Sequence, residues 1–343
     1  MENPTKVIFA GQLEFGTSRN FENVQTQYAH RMENYYKNDI LLQPEDIFNE
    51  SDHTLDIPRT VVISTDRQYK NTVNLLERIT SFSIAGDLNI WKLQGGQIVE
   101  HRLFEPRSDR TTNQLFQKGR ELLDQEDNIE DAHQALSQAI DNFERHATAY
   151  ERRGLTNYRL GNFKDALYDY TKSIKIYASK PESYYGRGLV YLLKLVDLPK
   201  AIADFSTVAK FAIPHQKVYW LAKGMLGDAY LANGQQKEAL REYTAFLRRK
   251  QRLPGLEGYD RRVGFQKGTI LHQEGEFAEA VTTLQAALEA PEHARAPKEA
   301  EIYFQLGQSA KEAGLDQWKD WLTKAADAGH DAAKEMLDGH LVS

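Results

Sequence analysis

Apolar and polar positions alternate with two different periods along the chain. In "KVIFAGQLEF", Val7, Phe9, Gly11, Leu13 and Phe15 fall on one side, which predicts a strand. Phe21, Val24, Tyr28, Met32 and Tyr35 then recur every three or four residues, forming one helical stripe with Ser18 or Asn20 as N-cap. "TLDIPRTVVIST" reads as a strand with Pro58 at its start, and Asp66 is placed to cap a second helix that buries Tyr69, Val73, Leu76 and Ile79. "FSIAGDLNIWKL" and "QIVEHRLFEP" read as two strands joined through Gly95-Gly96, a dipeptide that accepts the positive φ of a tight hairpin. With "ILLQPEDIF" as a weak extra strand, the order is β-α-β-β-α-β-β. That order predicts a small α+β domain, ferredoxin-like or a similar sandwich, without fixing its topology.

Past "FEPRSDRTTNQLF" the texture changes, and to about Leu337 nearly every stretch has helical period with Ala-rich faces. The expected division is an N-terminal domain over 1–107 and a helical domain over 108–343. Tyr150-x3-Gly154 overlays Tyr184-x3-Gly188 at an offset of 34 residues, and Ala166 and Tyr170 reappear as Ala201 and Phe205. The pattern returns with Gly227, Tyr230, Gly234, Ala239 and Tyr243, and again with Gly268, Gly275, Phe277, Ala280, Leu284 and Ala287. Upstream, Gly119, Ala132, Leu136 and Ala139 keep it; downstream, Tyr303, Gly307 and Gly314 keep it before it drifts around Trp318, Trp321, Ala325, Ala326 and Gly329. A sustained period argues against a non-repeating bundle, because a single hairpin cannot bury its apolar faces alone.

The residues Tyr150, Gly154, Tyr158, Gly161, Phe163, Ala166 and Tyr170 resemble the tetratricopeptide repeat, with Tyr158 one place late and Ser173 where a second Ala is usual. The resemblance covers about two-thirds of the chain. It implies a mainly α fold: an α-solenoid of about six antiparallel helix hairpins in a right-handed superhelix, the last hairpin divergent and capping. Gly154 and Ala166 are expected where the two helices approach most closely, and Gly161 where the first helix ends in the left-handed region. Spacings of 39 and 41 between Gly188, Gly227 and Gly268 put longer connections at "AKFAIPHQK" and "RRKQRLPGLEGYDRR".

Composition narrows the function. The chain is 41% hydrophobic and 27% charged, a globular balance. It has no cysteine, so disulfides, thiol nucleophiles and cysteine-based metal sites are excluded. The start carries no signal-peptide pattern and no window has the ~18–20 apolar residues of a membrane span, which reads as cytoplasmic without membrane contact. Residues 1–110 hold 12 basic against 16 acidic side chains, net −4, and the whole chain is net −6, which speaks against nucleic acid as a partner.

No phosphate loop, zincin, nucleophile-elbow or dinucleotide signature is present, so no enzyme activity, cofactor or metal is expected. Glu50, Asp52, His53 and Asp56 share one loop but lack a ligand spacing and read as a solvated turn. "IFAGQL" resembles the first ribonucleoprotein motif of RNA-recognition domains, yet the paired strand "RTVVIST" has no aromatics, so Phe9 and Phe15 are expected in the core. Two charge runs stand out: a basic one of Arg248, Arg249, Lys250, Arg252, Arg261, Arg262 and Lys267, and an acidic one of Asp124, Glu126, Asp127, Glu130 and Asp131. Each is expected as a solvated face, with an acidic partner or head-to-tail self-association as the alternative.

Tetratricopeptide arrays typically bind peptides along the surface formed by their first helices. Carried over by repeat position, the resemblance points to Leu155, Tyr158, Arg159, Tyr185, Leu189, Leu192, Asp228, Leu231, Phe265 and His272. The Lys and Asn that grip a chaperone's terminal carboxylate in some members are replaced here, which favours an apolar helix or the protein's own first domain as occupant. The expected function is a non-enzymatic adaptor or scaffold for another protein. The alternative places an enzyme or an RNA-binding module in the N-terminal domain, with the array as a targeting arm.

Overall fold

A computed structural model describes residues 5–106, 111–125, 128–250, 253–292 and 296–341. The expected domain border at 107/108, together with Glu126, Asp127 and Arg252, lies outside the described residues.

The first elements are β1 (Thr5–Glu14), α1 (Ser18–Asn34), the single turn α2 (Pro44–Ile47), β2 (Phe48–Asn49), β3 (Thr54–Ser64), α3 (Asp66–Thr80), β4 (Ala85–Gln94) and β5 (Gln97–Phe104). They form one sheet in the order β2-β3-β1-β4-β5, antiparallel at every pairing. Since β1 is antiparallel to both β3 and β4, those two run parallel with β1 between them, and β3-α3-β4 is a split β-α-β unit. β1-α1-β2 is a second split unit, since β1 and β2 are both antiparallel to β3, which lies between them. The two split units in the order β2-β3-β1-β4 make the expected ferredoxin-like arrangement, with β5 added beyond β4.

Several local expectations shift by a residue or two. The extra strand shrinks to Phe48–Asn49, because Pro44 opens a helical turn where its missing N–H costs nothing. Pro58 sits inside β3 rather than at its start: the register passes from Phe9↔Thr60 to Gly11↔Ile57, a bulge in which proline removes no ladder bond. Thr17 caps α1, accepting from the Asn20 N–H at 3.2 Å, and Asn20 instead donates to the Phe15 and Phe82 carbonyls. Thr65, not Asp66, caps α3 in a reciprocal box with Gln68. Gly95 and Gly96 take φ of 56° and 80°, as a two-residue hairpin turn requires. Val7, Phe9, Leu13 and Phe15 are fully buried against Phe21, Val24 and Tyr28 of α1 and Leu76 and Ile79 of α3. Phe9 therefore has no ring face to offer a nucleic-acid base.

Among the described residues twelve helices follow: α4 (Thr111–Leu123), α5 (Ile129–Asn142), α6 (Ala147–Arg159), α7 (Phe163–Ile176), α8 (Pro181–Val190), α9 (Leu198–Phe211), α10 (Lys217–Ala232), α11 (Gln236–Leu247), α12 (Glu257–Gln273), α13 (Phe277–Glu289), α14 (Glu299–Glu312) and α15 (Trp318–Asp327); α4 packs on α5, α6 on α7, α10 on α11, α12 on α13 and α14 on α15. A last helix, α16 (Asp331–Leu341), closes the chain. The array is a solenoid of antiparallel hairpins. Its glycines face large residues of the second helix rather than its alanine: a Cβ on Gly119 would stand 2.7 Å from Leu136, on Gly227 2.4 Å from Tyr243, and on Gly268 2.5 Å from Leu284. The recurring small residue makes room for a ring or a Leu that fills the crossing.

Contacts gather into two compact units, Met1–Val196 with Lys210–Ala212, and Asp197–Ala209 with Ile213–Ser343. The sheet domain thus shares a unit with the first repeats. In the first unit, α8 runs on into one π-helical turn, Tyr191–Leu195, which ends at Val196 with φ 52°. Gly161, by contrast, closes α6 with φ 81°. Leu193, Leu195 and Val196 are exposed around that turn.

Candidate partner-binding surface

In the first unit, Leu155, Tyr158 and Arg159 lie on α6, Tyr185 and Leu189 on α8, and Leu192 on its π-helical turn. Leu155, Tyr185, Leu189 and Leu192 are half-buried. The Tyr158 ring meets Phe163 edge-on at 5.8 Å, and the Lys194 ammonium sits 6.0 Å above it. Arg159 is exposed, and its Nη1 donates to the Leu123 carbonyl at 2.8 Å, closing the C-terminus of α4.

In the second unit the carried-over positions are tied into the packing. Asp228 accepts from the Tyr243 hydroxyl at 2.7 Å and pairs with Arg262. Desolvation, then the Asp228 carboxylate, pushes the Tyr243 phenol well above its ordinary pKa. Leu231 packs on the Trp220, Tyr243 and Phe246 cluster, and Phe265 on Val281, Leu284 and Ile302. His272 Nδ1 is 3.1 Å from the Ser309 hydroxyl and its ring meets Phe277 at 5.3 Å.

The basic run does not form a continuous cationic face. Arg249 makes a bidentate pair with Asp260 at 2.6 and 2.8 Å, over the Phe246 ring. Arg261 is buried against Glu299, Arg262 holds Asp228, and Lys267 holds Glu279. Arg248 and Lys250 remain exposed. Asp124, Glu130 and Asp131 are exposed, as a solvated acidic run should be.

Two buried polar clusters were not read from the sequence. In the first, Asp169 on α7 accepts from Nε and Nη2 of Arg153, at 2.9 and 2.7 Å, and from the Asn157 amide at 2.9 Å; the third guanidinium nitrogen of Arg153 donates to the Ser137 hydroxyl. Asn157 stands where the family aromatic is displaced by one place, so the offset of Tyr158 was the available signal. Ser173, in place of the second Ala, donates to the Ala147 carbonyl at 2.8 Å and shares a hydrogen bond of 2.7 Å with the Ser183 hydroxyl, joining α6, α7 and α8.

The second cluster joins the sheet to the loops of the array within the first unit. Glu14 on β1 accepts twice from Arg145 at 3.1 Å, with Asp52 3.5 Å from the same guanidinium. Asp87 on β4 lies 3.1 Å from Lys180 Nζ, and Arg59 on β3 donates to the Ala212 carbonyl at 2.7 Å. Arg145, Lys180 and Ala212 belong to three successive connections between hairpins. Burial raises the Glu14 carboxyl to about 7 against the pull of Arg145, and raises Asp56 with help from Asp52. Burial works against the Lys180 ammonium, but Asp87, Glu182 and Glu151 outweigh it and hold its pKa above the ordinary value. Buried His146 is pushed down to about 3, first by desolvation and then by Lys180. The loop of Glu50, Asp52, His53 and Asp56 is therefore partly a docking element rather than a free polar turn. Among the described residues, no three His, Asp or Glu side chains gather as a metal site.

Residues 116–181 and 224–294 match the tetratricopeptide repeat family. The helical array is built of tetratricopeptide repeats. No curated protein matches the chain. Among solved structures it is similar to PilF of Pseudomonas aeruginosa (15% identity, TM-score 0.53, covering 68% of this chain and 98% of that one). It is also similar to PilW, described as a widely conserved type IV pilus biogenesis factor (14% identity, TM-score 0.51, covering 67% of this chain and all of that one). YrrB, a tetratricopeptide protein described as having an unusual peptide-binding site, is 22% identical with a TM-score of 0.49, over 60% of this chain and 98% of that one. At such identities the likenesses to PilF and PilW speak for the fold alone. Among the described residues of the tetratricopeptide protein, no helix is long and apolar enough to cross a membrane.

Proposed function

We propose that this tetratricopeptide protein is a non-enzymatic adaptor that binds a peptide or helix of another protein along the first helices of its repeats. The reading also takes residues 1–107 as a separate α+β domain by sequence, 108–343 as the array, and the cytoplasm as the compartment. The observation that carries it is the array itself: hairpin after hairpin presents a first helix whose outward positions are free of the crossing that holds the hairpin together. In the first unit those positions are Leu155, Tyr185, Leu189 and Leu192, all half-buried and chiefly apolar, the composition of interface anchors. In the second unit, Asp228, Leu231, Phe265 and His272 are already engaged in packing.

An enzyme or an RNA-binding module in the first domain is the rival reading. Burial of Phe9 and Phe15 in the sheet's helix-covered face disfavours RNA. The test is affinity capture with mass spectrometry using the whole chain and its Tyr185→Ala/Leu189→Ala variant, with circular dichroism in parallel. A partner recovered by the wild type and reduced at least about tenfold by a folded variant supports the adaptor. Equal recovery by both removes the first-helix surface from consideration.

A further inference from the structure

The contact between the sheet and the array has the composition of a removable joint. Interfaces that never open are apolar and satisfied; this one buries charge. The sheet side brings Glu14, Asp52, Asp56 and Asp87 with one cation, Arg59, and the array side brings Arg145, Arg152 and Lys180 with two anions, Glu151 and Glu182. Asp56 Oδ1 on the sheet and the nearby His146 Nε2 on the array are buried without a hydrogen bond, while Glu151 Oε2 and Arg152 Nε answer each other as an ion pair at 3.2 Å. Buried polar atoms without partners weaken a contact relative to an open state in which water satisfies them.

The array's charges also define what could replace the sheet. Arg145 and Lys180 lie on consecutive connections, and Arg152 between them on α6 feels Glu182, Asp124 and Asp87 after Glu151. Against this row the sheet presents carboxylates: Glu14 to Arg145 and Asp87 to Lys180. We propose that Arg145, Arg152 and Lys180 form a docking surface for an acidic protein segment, and that the chain's own N-terminal domain occupies this surface as a removable cover. The proposal rests on the reading of the array as partner-binding and adds to its apolar first-helix positions a second, charged surface. An acidic segment competes by supplying the carboxylates that Glu14 and Asp87 supply in the closed state. Its apparent affinity is lowered by the small fraction of chains that are open.

Two measurements on the full chain test this: amide hydrogen exchange followed by mass spectrometry, and fluorescence anisotropy with a labelled deca-glutamate peptide. The Asp87→Lys variant sets two cations against each other while leaving the array's row intact. Faster exchange is expected in β4 and α6, with α12 and α13 unchanged, and peptide binding about tenfold tighter than wild type. Adding Lys180→Asp restores the pair, so protection returns and the peptide is lost; adding Arg145→Ala to Asp87→Lys weakens peptide binding, whereas adding Arg248→Ala/Lys250→Ala does not. Should Asp87→Lys unfold by circular dichroism, Asp87→Asn carries the same expectation with a smaller rise. Wild-type exchange and wild-type peptide affinity in a folded Asp87 variant overturn the proposal, as does faster exchange without tighter binding. Release of the cover needs no cellular partner. Its presence without partner capture would sink the adaptor reading alone, and its absence with capture retained would sink the cover alone.

Discussion

The ring of Tyr170 lies so close to Gly186 that a Cβ there would stand 2.3 Å from the ring carbons. Tyr170 reaches across from α7 to α8, and Gly154 on its own hairpin faces the same edge of the ring. Two glycines on different helices thus shape one socket.

Replacing Gly186 with Ala should destabilise the first unit by about 1–3 kcal/mol, since the buried ring cannot withdraw without opening the hairpin junction. Gly95→Ala is the useful contrast, because nothing lies within 4 Å of that position and its cost is confined to the turn's positive φ. Urea midpoints of the two variants, compared with wild type, check the difference. Equal and negligible shifts would contradict the socket.

Removing the acceptor of the buried cluster in the second repeat should cost more. Asp169→Ala strands the Arg153 guanidinium and the Asn157 amide in a closed interior, and breaking one half of such a pair costs about 3–5 kcal/mol. The double variant Asp169→Leu/Arg153→Met should recover much of that loss. Thermal unfolding of the three proteins measures the coupling.

A third expectation concerns pH. The Glu14 carboxyl titrates near 7 when folded against 4.5 ordinarily, so between those values the folded chain keeps a proton that the unfolded chain has released. Its contribution to stability is full below about 4.5 and lost as pH rises through about 7. His146, depressed from 6.5 to about 3, acts in the opposite sense: its contribution is present above about 6.5 and lost as pH falls. Comparing Glu14→Gln with wild type cancels the histidine. The variant should gain on wild type steadily as pH rises from about 5 to about 7, in urea titrations at constant salt. A difference independent of pH would show that Glu14 ionises as an ordinary carboxylate.

Val196 offers a gain. A β-branched residue in the left-handed region costs about 1–2 kcal/mol, while glycine there gives back about 0.5–1 in unfolded-state entropy. Val196→Gly should therefore raise stability modestly, and differential scanning calorimetry should show a higher melting temperature.

The repeat was legible because its signal is periodic: Gly154, Gly161 and Ala166 recur in later units, and each recurrence raises the odds of the next. The strands and the Phe21–Tyr28 stripe were legible for the same reason. Sheet order came only from the β-α-β-β-α-β succession and its ferredoxin-like option, since alternation says which side of a strand is apolar but not which neighbour it joins. Pairings between distant charges were hidden. Arg249, Arg261, Arg262 and Lys267 look like a cationic run along the chain, and only the fold reveals that Asp260, Glu299, Asp228 and Glu279 answer them one by one. Glu14 and Arg145 stand far apart in sequence, with nothing local to join them.

The hydroxyl of Ser173 also bears on how the first unit comes apart. In a linear array the elements behave like coupled spins, and the strength of each junction decides how many flip together. Ser173 ties the start of α6 to the start of α8 through two short bonds in a dry interior. An alanine, the family's usual residue, would leave that junction to dispersion alone. The second hairpin and α8 should therefore open as one block, with amide protection falling in step across both, so the cooperative length here exceeds a single repeat.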